Sequence, residues 1–516
     1  MRNGEISHWM AEAPRSSVRP IPGAGGADGG ADEAVSGLGP PGGASEAGAD
    51  AAASRTGASV FDRSAPAPLP QEAQDLVIVG GGLTGLWLAY YAALEHPDWA
   101  ITILEAKEVG YGASGRNGGW LSTLIPGNRA VYARAAEKAG EDGIAAVSAF
   151  QLALFTTIED TLAVLRREGI DARHAQGGNL TVAQTRAGLE RLRAAYDADL
   201  KYGYSPEDVR LLSAEETRAR VNVSGALGGL FHEHTTAIDP ARLTRGLARA
   251  VAARGVRICE VTRVSRIDPG MALTQRGPVQ GRAIISCAEA YSGRIAGPVP
   301  GLGPRSLIPV NSAMIITEPL PDSTWEQIGW TERECLNDAA HGFIYAQRTA
   351  DGRIAIGGRG APYAFGSGTP GDGAVDPATI TRLRQKLQSL FPGHDFPIAH
   401  SWRGVIGVTR DWCTGVHFDS RTRLGAVRGY AGHGVAATQL AARTLLDRID
   451  GKSTVRTSLP WNDHDSGTWE PEPVRWLGVH GMYRLFGLAD RWEESRGAEQ
   501  TSLLARFGSR LAGMHE

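Results

Sequence analysis

The sequence predicts an α/β fold: a doubly wound domain assembled from separated stretches of chain, with an antiparallel-sheet α+β domain inserted in it. Three observations predict it. A strand, a Gly-rich turn and a helix open the patterned part of the chain at Asp75. Strand–helix alternation returns in the middle and near the end. Between these stretches lie segments in which apolar residues recur every second position.

Residues 1–72 are rich in Ala, Gly, Pro, Ser and Asp and nearly devoid of large apolar side chains. Such a segment cannot bury enough surface to offset its ordering entropy, so it is expected to be disordered and outside the fold. LVIVGGG then reads as a buried parallel strand entering a tight turn, LTGLWLAYYAALE as a helix, and WAITILEA as a second strand closed by Glu105. Residues 130–168 read as helices, NLTVAQ as a strand and TRAGLERLRAAYDADLKYG as a helix. DPARLTRGLARAVAARG is a helix with Asp239 as N-cap and Pro240 in its first turn. GVRICEVTRVSRI and GRAIISCAEAYSG are strand-like, whereas LIPVNSAMIITEPL and the pair FIYAQR and RIAIGG alternate as antiparallel strands do. GYAGHGVAATQLAARTLLDRIDG is a Gly-rich turn feeding a helix. The resulting boundaries are 73–175, 236–300 and 398–455 for the doubly wound domain and 176–235 and 301–397 for the inserted domain. An aromatic, amphipathic extension over 456–516 is expected to pack as helix on the body or on a partner subunit.

Composition narrows the function. A hydrophobic fraction of 42% and a charged fraction of 21% over 516 residues are ordinary for a water-soluble chain of two domains. A net charge of −3 gives no electrostatic reason for nucleic acid or an anionic membrane as partner. MRNGEISHWMAEAPRSS has no apolar core of a secretory signal. Leu76–Leu94 is uncharged and nearly span-length, but its glycines divide it into strand and helix. Cys259, Cys287, Cys335 and Cys413 are widely spaced, which argues against disulfides, zinc and dithiol chemistry and for reduced thiols in a cytoplasm. His232 and His234 lack an evident third ligand, so no metal is expected.

Gly80, Gly82 and Gly85 form G-x-G-x-x-G between strand and helix. The first allows the turn, the second lets backbone approach a pyrophosphate, and the third lets helix pack on strand. Glu105 follows twenty residues later, placed to accept hydrogen bonds from ribose hydroxyls. A second Gly-rich strip, AKEVGYGASGRNGGWLS, comes next. A nicotinamide dinucleotide has no use for it, but a flavin's ribityl chain and ring extend past the pyrophosphate and need close backbone approach. The expected cofactor is FAD.

DLVIVGGGLTGLWLAYYAA, ILEA, GYGASGRNGGWLS, WRGVIGVTRD and GYAGHGVAATQLA resemble the D-amino-acid oxidase (DAO) superfamily of flavoproteins over about residues 73–475. They are most similar to its γ-glutamylputrescine oxidase-like branch. The resemblance implies FAD contacts at Gly80, Gly82, Gly85, Glu105, Ser114, Gly115, Arg116, Asn117, Gly118 and Gly119. It also implies adenine against Val264 backbone and the flavin pyrimidine ring near Gly432, His433 and Gly434. Asn117 and Gly404 stand where some relatives carry a covalently attached His or Cys, so non-covalent FAD is implied. Glu289 stands where relatives have a small or amide residue.

The implied activity is oxidation of the C–N bond of a small amine or amino acid, by hydride transfer to flavin N5, imine hydrolysis and reoxidation by O2 to H2O2. A dehydrogenase using a carrier or quinone, and a non-catalytic FAD-binding protein, are the alternatives. Tyr345 and Trp402 are expected near the flavin face, and Arg348 is a candidate for a substrate carboxylate because guanidinium binds it bidentately. His341, Arg359 and Arg403 are further candidates.

Overall fold

The computed structural model describes residues 1–12, 66–358, 363–369 and 372–512. Among these, two large sheets set the architecture. One has five parallel strands in the order Arg257–Cys259, Ile101–Leu104, Gln74–Val79, Gly277–Ser286 and Leu424–Arg428. It continues antiparallel through Met271–Thr274 to Val264–Asp268, and Gly415–Asp419 pairs with Leu424–Arg428. Strand Gln74–Val79 is apolar from Leu76 to Val79 because both its faces are covered there. Leu76 and Ile78 pack with helices Leu83–Glu95, Gly143–Arg167, Pro240–Ala253 and Gly434–Ile449. Val77 and Val79 pack on the other side with Val264, Ile267, Ala272 and Val279. Gly143–Arg167 is long and apolar enough to cross a membrane, but Phe150, Leu154, Ile158 and Leu162 on it are buried in this core.

The second sheet runs in the order Arg2–Asn3, Ile398–Val408, Ile308–Thr317, Ile354–Gly358, Ile344–Arg348, Cys335–Asp338, Asn179–Ala183, Gly228–His232 and Val209–Ser213. Its core includes Leu180, Phe231, Ile315, Trp330, Ile356 and Phe396. Two expectations are corrected here. Ile398–Val408 does not return to the doubly wound domain. It pairs with Ile308–Thr317 along its whole length, from Ile308 opposite Val408 to Thr317 opposite Ile398, with its Trp402 buried beside Met314 and Ile316.

Residues 1–12 are not outside the fold either. Arg2 and Asn3 pair in parallel with His400 and Ser401, and helix His8–Glu12 buries Trp9 and Met10. A two-residue strand and a one-turn helix carry no periodicity to detect. Ile6, Trp9 and Met10 were the available signal, diluted by the polar stretch behind them. Of the rest of that expected tail, 13–65 lies outside the described residues, while Ala67 and Leu69 pack against the core around Val77 and Val264.

The C-terminal extension is helical over Val474–Arg496 and Leu503–Ala512, and the first of these buries Val479, Phe486 and Ala489.

Candidate cofactor and active site

A cavity of about 500 Å³ lies between the two sheets. Glu105, Lys107 and Val264 line it, as do Val405, Ile406, Tyr430, Gly432, Gly434 and Thr438. Gly80, Gly82, Ser114, Arg116 and Asn117 line it too. Five cationic side chains face it, Lys107, Arg116, Arg263, Arg294 and Arg403, against the carboxyls of Glu105, Glu289 and Asp372. That balance suits an elongated ligand with a doubly negative centre.

The glycines are there for different reasons. Gly80 takes φ +117°, and a Cβ there would lie 2.7 Å from the Cys287 carbonyl oxygen. A Cβ on Gly82 would lie 2.9 Å from Ser114 Oγ, in the space a phosphate approaches. Helix Leu83–Glu95 starts at Gly82 with no side-chain cap, although Ser114 Oγ accepts the Leu83 N–H at 2.9 Å. Its first turn therefore faces the cavity with N–H groups and the positive dipole end, the arrangement that binds a pyrophosphate. The residues present thus fit FAD at this site.

Glu105 accepts N–H bonds from Gly81 and Lys107, both at 2.8 Å. Burial pushes its carboxyl up to about 7, against those two hydrogen bonds. In the flavin-free protein the folded chain therefore holds a proton there between about pH 4.5 and 7 that the unfolded chain has lost, and stability falls as pH rises through that window. Glu105→Gln should remove the dependence. Thermal melts of the two flavin-free proteins should diverge by about 2–4 °C between pH 5 and 7, and parallel curves would refute it.

The second Gly-rich strip is shaped largely by the other sheet. A Cβ on Gly118 would strike the Tyr345 ring at 2.9 Å. A Cβ on Gly119, at φ +72°, would fall 2.3 Å from the Ile238 carbonyl oxygen and 2.1 Å from Gln347 Nε2. Asn117 folds its side chain back, its amide donating to the Ala113 and Ser114 carbonyls and its Oδ1 accepting the Gly119 N–H.

Of the residues expected at the substrate, the structure brings only some to the cavity. Tyr345 touches the loop at Gly118 and shares a hydrogen bond with Ser312 Oγ at 2.7 Å, but does not line the cavity. Trp402 is fully buried, and its Nε1–H donates to the Arg116 carbonyl at 3.0 Å. It does not line the cavity, although Arg403, Val405 and Ile406 of the same strand do, and it acts on the cofactor loop through the Arg116 carbonyl. Arg348 lies elsewhere: it donates to the Trp330 carbonyl at 2.6 Å and stacks over the Trp325 ring. His341 pairs with Glu493 of the C-terminal extension at 3.1 Å. Arg359 lies outside the described residues. His232 and His234 turn to different acids, Asp199 at 2.9 Å and Asp208 at 2.6 Å, so they share no metal position. Gly432 and Gly434 line the cavity, while His433 is the N-cap residue of Gly434–Ile449. The four cysteines are buried and unpaired.

Glu289 has a structural role that its departure from the family pattern did not reveal. It sits at φ +45°, and its carboxylate accepts N–H groups from Gly407 at 2.6 Å, Tyr430 at 3.0 Å and Gly429 at 3.1 Å. Burial raises its pKa. It ties the segment after strand Gly277–Ser286 to both the second sheet and the turn leading to Gly432. Tyr291, Arg294, Thr369 and Asp372 also reach the cavity without a local motif to announce them.

A βαβ unit with a G-x-G-x-x-G turn, lining one cavity together with strand Ile398–Val408 of a second sheet, defines a two-domain dinucleotide-dependent oxidoreductase. More narrowly, the chain belongs to the DAO family of FAD dependent oxidoreductases, which it matches over residues 75–448, and its cofactor is FAD. It is 29% identical over 384 residues to gamma-glutamylputrescine oxidoreductase of Escherichia coli (strain K12), covering 73% of this chain and 84% of that protein. Its fold is similar to that of glycine oxidase from Geobacillus kaustophilus, with a TM-score of 0.61 at 19% identity over 74% of this chain and 96% of that one. It is also similar to L-amino acid deaminase from Proteus vulgaris, with a TM-score of 0.60 at 14% identity over 77% and 98% of the two chains.

Proposed function

We propose that this protein oxidises the C–N bond of a small amine or amino acid. The observation that carries the reading is that Glu105, Val264 and the N-terminus of Gly434–Ile449 line one and the same cavity. The relatives support the substrate class, since they include an oxidoreductase of gamma-glutamylputrescine and a fold neighbour that oxidises glycine. Gly80, Gly82 and Gly85 with the first turn of their helix would hold the pyrophosphate, Glu105 the ribose and Val264 backbone the adenine. Ser114, Gly115, Arg116, Asn117, Gly118 and Gly119 would lie along the ribityl chain and ring, and Gly432, His433 and Gly434 at its pyrimidine end.

When bound, FAD supplies the acceptor for a hydride from the substrate's C–H. The chain's own contribution is environment and placement. Helix Gly434–Ile449 directs its positive N-terminal end at that part of the cavity, which favours the negative charge gained on reduction. Val405, Ile406 and Val435 make an apolar wall there. Such a wall excludes water and favours the neutral amine, the form that can lose hydride. The imine is released to hydrolyse, and O2 is the proposed final acceptor, giving H2O2.

The test is anaerobic addition of amines and amino acids to the yellow holoprotein. Bleaching of the flavin absorbance by γ-glutamylputrescine or a similar amine is expected. A flavin that no member of the panel reduces would overturn the amine reading, and peroxide formation on readmitting air decides the acceptor.

A further inference from the structure

We infer that residues 1–12 form a strap that completes the flavin cradle, with Ser7 and Trp9 as positioning residues for the cofactor loop. The inference rests on the assignment of FAD to the cavity, but the strap itself lies outside the 75–448 match to the family. Its starting observation is a run of three consecutive carbonyls. The Gly115 carbonyl accepts from Ser7 Oγ, the Arg116 carbonyl from Trp402 Nε1 at 3.0 Å, and the Asn117 carbonyl from Trp9 Nε1 at 3.0 Å. All three donors come from the second sheet or the strap packed on it.

Peptide planarity gives these bonds a consequence. In a trans peptide the C=O of one residue points opposite to the N–H of the next. Fixing the Arg116 and Asn117 carbonyls on Trp402 and Trp9 therefore directs the Asn117 and Gly118 N–H groups the other way. Neither N–H has an acceptor among the described residues, and Asn117 lines the cavity. Trp9 on the strap and Trp402 packed against it thus hold the two backbone donors in fixed directions instead of leaving the loop to order on binding, a cost that preorganisation removes.

The remaining strap contacts serve to keep Ser7 and Trp9 in place. Asn3 exchanges two hydrogen bonds with Val375 backbone, both at 2.9 Å, and Gly4 N–H donates to the Ser401 carbonyl. Arg116 reaches back to the Glu5 carbonyl at 3.0 Å. Met10 lies so close to Gly115 that a Cβ there would meet its sulfur at 2.8 Å. Trp9 stands edge-on to Trp402 with ring centres 5.9 Å apart. Ser7, Trp9 and Met10 are all buried.

The test uses the full-length holoprotein and FAD release followed by flavin fluorescence. Trp9→Phe keeps the ring and loses the donor, and Ser7→Ala loses the hydroxyl. Each should speed release on the order of tenfold, the worth of a buried hydrogen bond, and the visible circular dichroism of the bound flavin should change. Ser7→Thr should restore it. Arg2→Ala, whose side chain pairs with Glu5 at 2.9 Å, should leave release unchanged. By linkage, loading FAD should in turn slow amide exchange over residues 5–10 but not over Val209–Ser213 at the far sheet edge, a measurement on the unaltered chain that decides the matter if a variant fails to fold. Release within twofold of the parent in the Ser7→Ala/Trp9→Phe pair, or exchange in the strap indifferent to FAD, would overturn the inference. A chain that cannot be loaded with FAD at all would instead overturn the cofactor assignment beneath it.

Discussion

Replacing Gly85 by alanine should destabilise the protein by about 2 kcal/mol or more and cut retained flavin by about tenfold. Helix propensity alone predicts the opposite sign, since alanine in a helix is favoured over glycine by about 1 kcal/mol. Packing wins because a Cβ at position 85 would sit 2.1 Å from the Gly80 carbonyl oxygen and 3.0 Å from Ile78 Cγ2. Neither is the loose end of a flexible side chain. The helix would have to lift off strand Gln74–Val79, and its N–H-bearing first turn would move with it. Gly112→Ala is the control: a Cβ there meets nothing nearer than the Tyr291 ring at 3.6 Å, and φ is already −72°. Thermal melts and the flavin-to-protein absorbance ratio should separate the two. Equal behaviour would mean that the G-x-G-x-x-G turn is not under the close-packing constraint described.

Trp402→Ala should lose about 3–5 kcal/mol, the usual result of emptying a large buried aromatic site. Trp402→Phe should lose about 1 kcal/mol and loosen the flavin. The indole is enclosed by Trp9, Met314, Ile316 and Ala355 and spends its N–H on the Arg116 carbonyl. A residue at the substrate face would behave otherwise. Its phenylalanine variant would shift the rate of flavin bleaching by amine while the melting temperature and flavin release stayed put. Denaturant unfolding combined with anaerobic bleaching therefore tells support from contact.

The glycine fingerprint, Glu105, the Asp239 cap with Pro240 behind it and the helix after Gly434 were legible because each is local. A turn needing φ +117° at Gly80, or a capped helix, is written within a few consecutive residues. The flavin was legible too, although for an incomplete reason. Gly118 and Gly119 are glycine because Tyr345 and Gln347 press on them from more than two hundred residues away. The same distance explains the misplacements. HSWRGVIGV alternates in character like many strands, but nothing within it says which sheet it joins, nor that Arg403 lines the cavity while Trp402 does not.

By itself, then, the sequence determined the nucleotide-binding βαβ unit, the family and the cofactor, since these depend on backbone conformations and periodicities set by neighbours in the chain. Only the tertiary structure decided which side chains stand round the cavity. Arg348 spends its charge on Trp330 and Trp325, Glu289 gathers three backbone N–H groups from two distant segments, and a twelve-residue N-terminal stretch with no readable pattern braces the cofactor loop. Those roles are contacts between residues far apart in the chain, and a side chain's partner across such a distance is set by packing of whole sheets, which no local spacing encodes.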